Sequence, residues 1–192
     1  MSGVPIPDGE AILDERNVAL IGPMGVGKSA VARLLGDWLS RQVVDTDVLV
    51  EQATGKRIAE IFESDGEAAF RALEADAITA IAERTHLVVA CGGGAVVDPA
   101  NAEALRSSAH VVRLHGDPAV LAGRVEAGRR SGRRPLLAGD GDPEERLAAL
   151  IAEREPAYAA AAHVCVEVGD RPVEAVAADV LRALEDRVRE GP

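Results

Sequence analysis

Gly22-Pro-Met-Gly-Val-Gly-Lys28-Ser29 decides the fold. It follows an apolar run, Val18-Ala-Leu-Ile21, and opens a helical pattern, Ser29-Ala-Val-Ala-Arg-Leu-Leu35. A glycine-rich turn between a buried strand and a helix N-terminus is the setting a phosphate-binding loop needs. Glycines let backbone N–H groups turn toward phosphate oxygens with no β-carbon in the way. The helix adds unpaired N–H groups and the positive end of its dipole. Gly25, Val26, Gly27, Lys28, Ser29 and Ala30 are the expected nucleotide-binding residues. Lys28 is placed to reach the β- and γ-phosphates, and the Ser29 hydroxyl to ligate Mg²⁺. A chance turn accounts for the spacing, the Lys-Ser pair and the strand–helix context less well than a nucleoside triphosphate site.

Outward from this loop, strands alternate with helices. Predicted strands are Asn17 to Ile21, a short one through Val43-Val44 ending at Asp45-Thr46-Asp47, Leu87 to Cys91, His110 to Leu114, and Val164 to Val168. Helical patterns fill the intervals, including Lys28 to about Ser40, Glu67 to Arg84 and Pro143 to Ala161. The last helix carries the 3.6-residue stripe Val173, Val176, Ala177, Val180, Leu181, Leu184, Val188. Asp98-Pro99 and Asp117-Pro118 are helix starts, with Asp as cap and Pro in the first turn. The pattern implies βαβ units: a single-domain α/β fold with a five-stranded parallel sheet covered by helices on both faces. Ligands collect at the carboxyl ends of such strands. Residues 1–16 read as a flexible N-terminal extension and 17–192 as the phosphate-loop domain. An Arg/Gly-rich lid spans about 128–141.

The chain has 192 residues, enough for one domain with a substantial core. Its net charge of −11 argues against a general nucleic-acid or anionic-membrane surface. An anionic ligand therefore calls for a local arginine cluster. Gly128-Arg-Arg-Ser-Gly-Arg-Arg134 is such a cluster; without interleaved aromatics it reads as a lid over bound nucleotide rather than a nucleic-acid patch. The two cysteines, Cys91 and Cys165, lie in apolar strand-like runs and suit a reduced cytoplasmic protein. No signal peptide and no membrane span are expected.

The remaining question is what receives the phosphoryl group. A GTPase reads guanine through Asn-Lys-x-Asp, but the two lysines here, Lys28 and Lys56, lie in no such setting. Motor-type ATPases end an apolar strand with an acid that holds Mg²⁺, whereas the third strand here ends at Cys91-Gly92. Asp45 and Asp47 are the nearest carboxylates. Two acids one residue apart in an extended segment point the same way. One can face hydrated Mg²⁺ and the other an acceptor hydroxyl, whose proton it accepts or whose orientation it fixes. Turn-forming aspartates are the plain alternative, disfavoured beside a phosphate loop.

Asp45-Thr-Asp47, Phe70-Arg71, Gly92-Gly-Gly94, Arg134-Pro-Leu-Leu137 and Arg154-Glu-Pro-Ala-Tyr158 stand in the order found in shikimate kinases. From Asn17 onward the chain resembles that family. The resemblance implies transfer of the γ-phosphoryl group of MgATP to the 3-hydroxyl of shikimate, a step toward aromatic amino acids. It implies Asp47 as candidate base, and Arg71 and Arg154 as ligands of the shikimate carboxylate. Gly92, Gly93 and Gly94 present backbone N–H groups to the substrate, and Arg134 on the lid contacts substrate and the transferring phosphate. Ser29 and Asp45 organise Mg²⁺. Arg124 is the expected adenine-stacking arginine, with Arg129 or Arg130 as alternatives and Pro172 on the other face of the base. Arginine suits a small carboxylate because its planar fork grips both oxygens. Glu153 and Glu155 flank Arg154 and lower the local positive potential. Tyr158 is assigned no chemistry. Catalytic roles therefore fall to Asp47, Lys28 and Arg134, with ATP and shikimate as small-molecule partners and a monomer expected. A gluconate kinase is the enzyme alternative, and a nucleotide-sensing module the non-enzyme one.

Overall fold

The computed structural model describes residues 13–129 and 142–190, excepting the side chains of 126–129 and 143. The lid residues from 130 on, with Arg130 and Arg134, lie outside the described residues, as do residues 1–12 and the Arg129 side chain.

Five parallel strands form one sheet. They are β1 (Asn17–Ile21), β2 (Gln42–Asp45), β3 (Leu87–Ala90), β4 (Ala109–His115) and β5 (Val164–Glu167), in the order β2-β3-β1-β4-β5. All five residues of β1 are buried, as an apolar central strand covered on both faces should be. Strand alternation divides its side chains. Val18 and Leu20 join a core with Leu35, Val112, Leu114, Val180 and Leu181. Ala19 and Ile21 join an opposite core with Ile78, Val89, Leu105, Val111 and Tyr158. Helices α1 (Lys28–Trp38) and α8 (Val173–Glu190) pack on the first face. Helices α4 (Gly66–Ala82), α5 (Pro99–Ser108) and α7 (Pro143–Ala161) pack on the second. A third cluster, Val50, Ile61 and Phe70, joins α2 (Thr46–Thr54), α3 (Ile58–Ser64) and α4 beyond the β2 edge. Helix α6 (Pro118–Arg129) precedes the segment expected to form a lid.

Two expectations change. The Asp45-Thr46-Asp47 segment is not extended throughout: β2 stops at Asp45, and Asp47 lies in the first turn of α2. The Asp45 carboxylate caps that helix by accepting from the Asp47 N–H at 3.1 Å, so the helix begins at Thr46, inside the segment expected to be extended. Residues 13–16, read as part of a flexible extension, are instead tied to the domain. Leu13 is buried in the first core, and Arg41 donates to the carbonyls of Arg16 (2.7 Å) and Asp14 (2.9 Å).

Buried Asn17 fastens the amino end of the sheet. Its amide donates to the carbonyls of Ile81 (3.3 Å) and Arg84 (2.7 Å), satisfying the end of α4. Its carbonyl accepts from the Leu87 N–H at 2.9 Å, setting the start of β3. The opposite, carboxyl end of the sheet is thus left to the loops.

Candidate active site

The loop after β1 turns sharply because it must. Gly22 has φ 135°, and a β-carbon there would lie 2.1 Å from the Leu114 carbonyl oxygen. Gly27 caps α1 with φ 98°, and the space beside it is open. The start of α1 therefore has open space beside it, and a helix N-terminus in such a setting suits phosphate oxygens. The Lys28 ammonium donates to the carbonyls of Gly22 (2.7 Å) and Pro23 (2.9 Å), which holds its charge over the loop.

The end of β2 meets the start of α1 at this cradle. The Ser29 hydroxyl donates to Asp45 Oδ2 at 2.8 Å, bringing together the two residues expected at Mg²⁺. A hydroxyl beside a carboxylate is a hard-oxygen donor pair of the kind Mg²⁺ takes, the rest of its shell coming from water and phosphate. The residues fit that ion.

The glycines after β3 form a strip along which the other expected residues line up. A β-carbon on Gly92 would sit 2.6 Å from Glu74 Oε1 and 2.8 Å from Asp47 Oδ1. At Gly93 the neighbours are the Met24 N–H nitrogen in the phosphate loop (3.6 Å) and Arg154 Nη1 (3.8 Å). At Gly94 the neighbour is the Arg71 guanidinium, 2.7 Å away. Asp47, Arg71 and Arg154 thus meet around one strip that also touches the phosphate loop. The two acids of the Asp45/Asp47 pair do flank this region, through the β2–α2 turn rather than through strand alternation.

One expected donor is already spent within the protein. The Gly92 N–H donates to Thr46 Oγ1 at 2.8 Å, so it is not offered to a ligand. The Gly92 carbonyl accepts from Ala95, the Gly94 carbonyl from Val97, and the Gly93 carbonyl from Arg154 (3.0 Å) and Tyr158 (2.5 Å). The N–H groups of Gly93 and Gly94 are the ones without a protein acceptor among the described residues.

Sequence reasoning missed three contributors. Glu74 is 1% exposed on α4; its Oε2 accepts from Arg71 Nη1 at 2.7 Å and its Oε1 has no hydrogen-bond partner among the described residues. Burial pushes its carboxyl above the ordinary range, an effect Arg71 only partly offsets. Arg71 also pairs with Glu67 at 3.0 Å. The i, i+3 spacing of Arg71 and Glu74 was visible, but such pairs are ordinary on solvated helix faces. Thr46 and Tyr158 act through long-range bonds that no local pattern announces. Of the two acids flanking Arg154, Glu155 is taken up by a two-pronged pair with Arg113, both distances 2.6 Å.

At the far side of the phosphate loop, Arg124 on α6 donates to the Gly169 carbonyl at 2.8 Å. This ties it to the β5–α8 loop that carries exposed Pro172, so both residues expected at adenine reach the same rim. Burial pushes the Cys91 thiol, at the end of β3, up to about 12, and both cysteines are free thiols. Among the described residues no helix is long and apolar enough to cross a membrane.

Comparison with known proteins agrees with this arrangement. The shikimate kinase family model matches residues 24–185. Shikimate kinase of Symbiobacterium thermophilum is 44% identical over 175 residues, covering 91% of this chain and 99% of that protein. Shikimate kinase of Gloeobacter violaceus is 47% identical over 171 residues, covering 89% and 93%. The solved structure of shikimate kinase from Acinetobacter baumannii in complex with shikimate superposes with a TM-score of 0.84 at 34% identity, covering 91% and 95%. The chain is a member of the shikimate kinase family, an ATP-dependent small-molecule kinase.

Proposed function

We propose that this chain transfers the γ-phosphoryl group of MgATP to the 3-hydroxyl of shikimate, giving ADP and shikimate 3-phosphate. The observation that carries the reading is the order along the glycine strip: Asp47 at Gly92, the phosphate loop and Arg154 at Gly93, and Arg71 at Gly94. A compact ring with a carboxylate on one side and a hydroxyl on the other matches that order. Arg71 and Arg154 grip the carboxylate, the free N–H groups of Gly93 and Gly94 bond the ring substituents, and Asp47 orients the acceptor hydroxyl and receives its proton.

Lys28 and the N–H groups of the loop from Gly25 through Val26, Gly27 and Ser29 to Ala30 hold the β- and γ-phosphates. Arg124 and Pro172 border the adenine, and Arg134 supplies lid charge to the transferring group. Mg²⁺, held by Ser29 and by Asp45 through water, neutralises phosphate charge when bound. The protein contributes mainly positioning and fixed charge, as phosphoryl transfer requires. The reading is of a monomer, and the two free cysteines fit the cytoplasm.

The test is ADP release from MgATP with shikimate, with gluconate, and with neither, at one enzyme concentration. Saturable stimulation by shikimate alone is expected. Stimulation by gluconate instead would overturn the substrate, and ATP binding without turnover would favour a nucleotide sensor.

A further inference from the structure

We infer that Tyr158 is a positioning residue for the acceptor site, holding the Gly93–Gly94 peptide so that its N–H faces the substrate. The inference rests on the proposed acceptor reading of the strip. Tyr158 sits on α7 with its ring 1% exposed in the second core and the Arg113 guanidinium 5.8 Å from the ring centre. Its hydroxyl donates to the Gly93 carbonyl at 2.5 Å. The same peptide unit carries the Gly94 N–H, and in a trans peptide C=O and N–H point in opposite directions. Fixing the carbonyl toward α7 therefore fixes the Gly94 N–H toward the Arg71 side of the strip, where it meets no protein acceptor.

Glycine makes such a hold necessary. A Gly-Gly-Gly run has nearly free dihedral choice, so the peptide can flip unless something outside the strip restrains it. Thr46 restrains the Cys91–Gly92 unit through the Gly92 N–H, the Ala95 N–H restrains the Gly92–Gly93 unit through the Gly92 carbonyl, and Tyr158 restrains the Gly93–Gly94 unit through the Gly93 carbonyl. Arg154 also donates to that carbonyl, at 3.0 Å, but its guanidinium is the group the substrate carboxylate recruits. Tyr158 is the donor that carries no charge for the substrate to draw away. Burial raises its phenol above the ordinary range, so the hydroxyl remains a donor at neutral pH. A donor on the carbonyl also polarises the amide and strengthens its N–H.

The experiment compares wild type with Tyr158→Phe, which keeps the ring and its packing and removes only the hydroxyl. The expected result is a rise of about tenfold in KM for shikimate, the value of one directed hydrogen bond, with KM for ATP within about twofold and Tm within a few degrees. An unchanged KM for shikimate overturns the inference. So does a parallel rise in both KM values with a large fall in Tm, which marks a purely structural side chain. Tyr158 is the chain's single tyrosine, so biosynthetic 3-fluorotyrosine gives one ¹⁹F resonance at this site. That resonance should shift on saturation with shikimate. If the phenylalanine variant does not fold, a resonance unmoved by shikimate in active enzyme overturns the inference. Failure of the wild type to phosphorylate shikimate would instead refute the proposed function.

Discussion

Arg71 serves two masters, a buried acid and the expected substrate carboxylate, and the two can be separated. Glu74 is buried and bonded to Arg71 at 2.7 Å, whereas Glu67, 64% exposed, adds under about 1 kcal/mol. Arg71→Ala leaves the Glu74 carboxylate without its hydrogen-bonded cation, with Arg154 the remaining positive charge acting on it. Breaking a buried pair from one side costs roughly 3–5 kcal/mol. Glu74 can take up a proton, since burial already raises its pKa, so about 2–3 kcal/mol is expected at pH 8. In the variant Glu74 binds its proton more tightly folded than unfolded. Its stability deficit should therefore shrink as pH falls toward that raised pKa. Arg71→Ala/Glu74→Gln removes the stranded charge and should recover to within about 1 kcal/mol of wild type.

Shikimate affinity should not recover. Loss of a charge-assisted contact to a carboxylate is worth about 3 kcal/mol, or roughly 100-fold in KM, in the single and the double variant alike. Urea unfolding at pH 8 and 5.5, with shikimate saturation kinetics, reads both effects. A double variant that regains wild-type KM, or an Arg71→Ala protein as stable as wild type at pH 8, would refute the reasoning.

Other outcomes follow from single contacts. Asp47→Ala should lower kcat by about 10²–10⁴ while ATP still binds, measured by steady-state kinetics and nucleotide titration. Asn17→Ala orphans the Leu87 N–H and the Arg84 carbonyl, and should cost about 2–3 kcal/mol in urea unfolding with little change in KM. Burial first, and then the positive charge of Arg187, Arg106, Arg16 and protonated His110, pushes His163 down to about 4, and its Nδ1 accepts from the Val111 N–H. The unfolded chain therefore binds the extra proton between pH 6.5 and about 4, and stability should fall as pH drops through that window. His163→Gln should flatten the fall in a Tm-versus-pH series.

The sheet and its helices were legible because their signals are local. Apolar runs such as Val18 to Ile21, the Asp98-Pro99 start and the α8 stripe each specify an element without reference to the rest. The phosphate loop likewise carries its own context. What escaped depends on distant partners. Asp47 read as extended because only the cap made by Asp45 reveals the helix. Glu74 sat on a stripe otherwise apolar, and nothing local says that such an acid is buried rather than solvated. The Gly92 N–H looked available until Thr46, 46 residues earlier, was placed against it. Leu13 fell inside the stretch read as a flexible extension, because the core that takes it is built from distant elements.

The most direct test of the account is where the phosphoryl group goes. Shikimate, MgATP and enzyme should be followed by ³¹P NMR, with correlation of the product phosphorus to the ring protons. The account predicts one new phosphate ester coupled to the proton on C3, formed in step with ADP. A phosphorus coupled to the proton of another ring carbon, or ADP formed with inorganic phosphate alone, would contradict it.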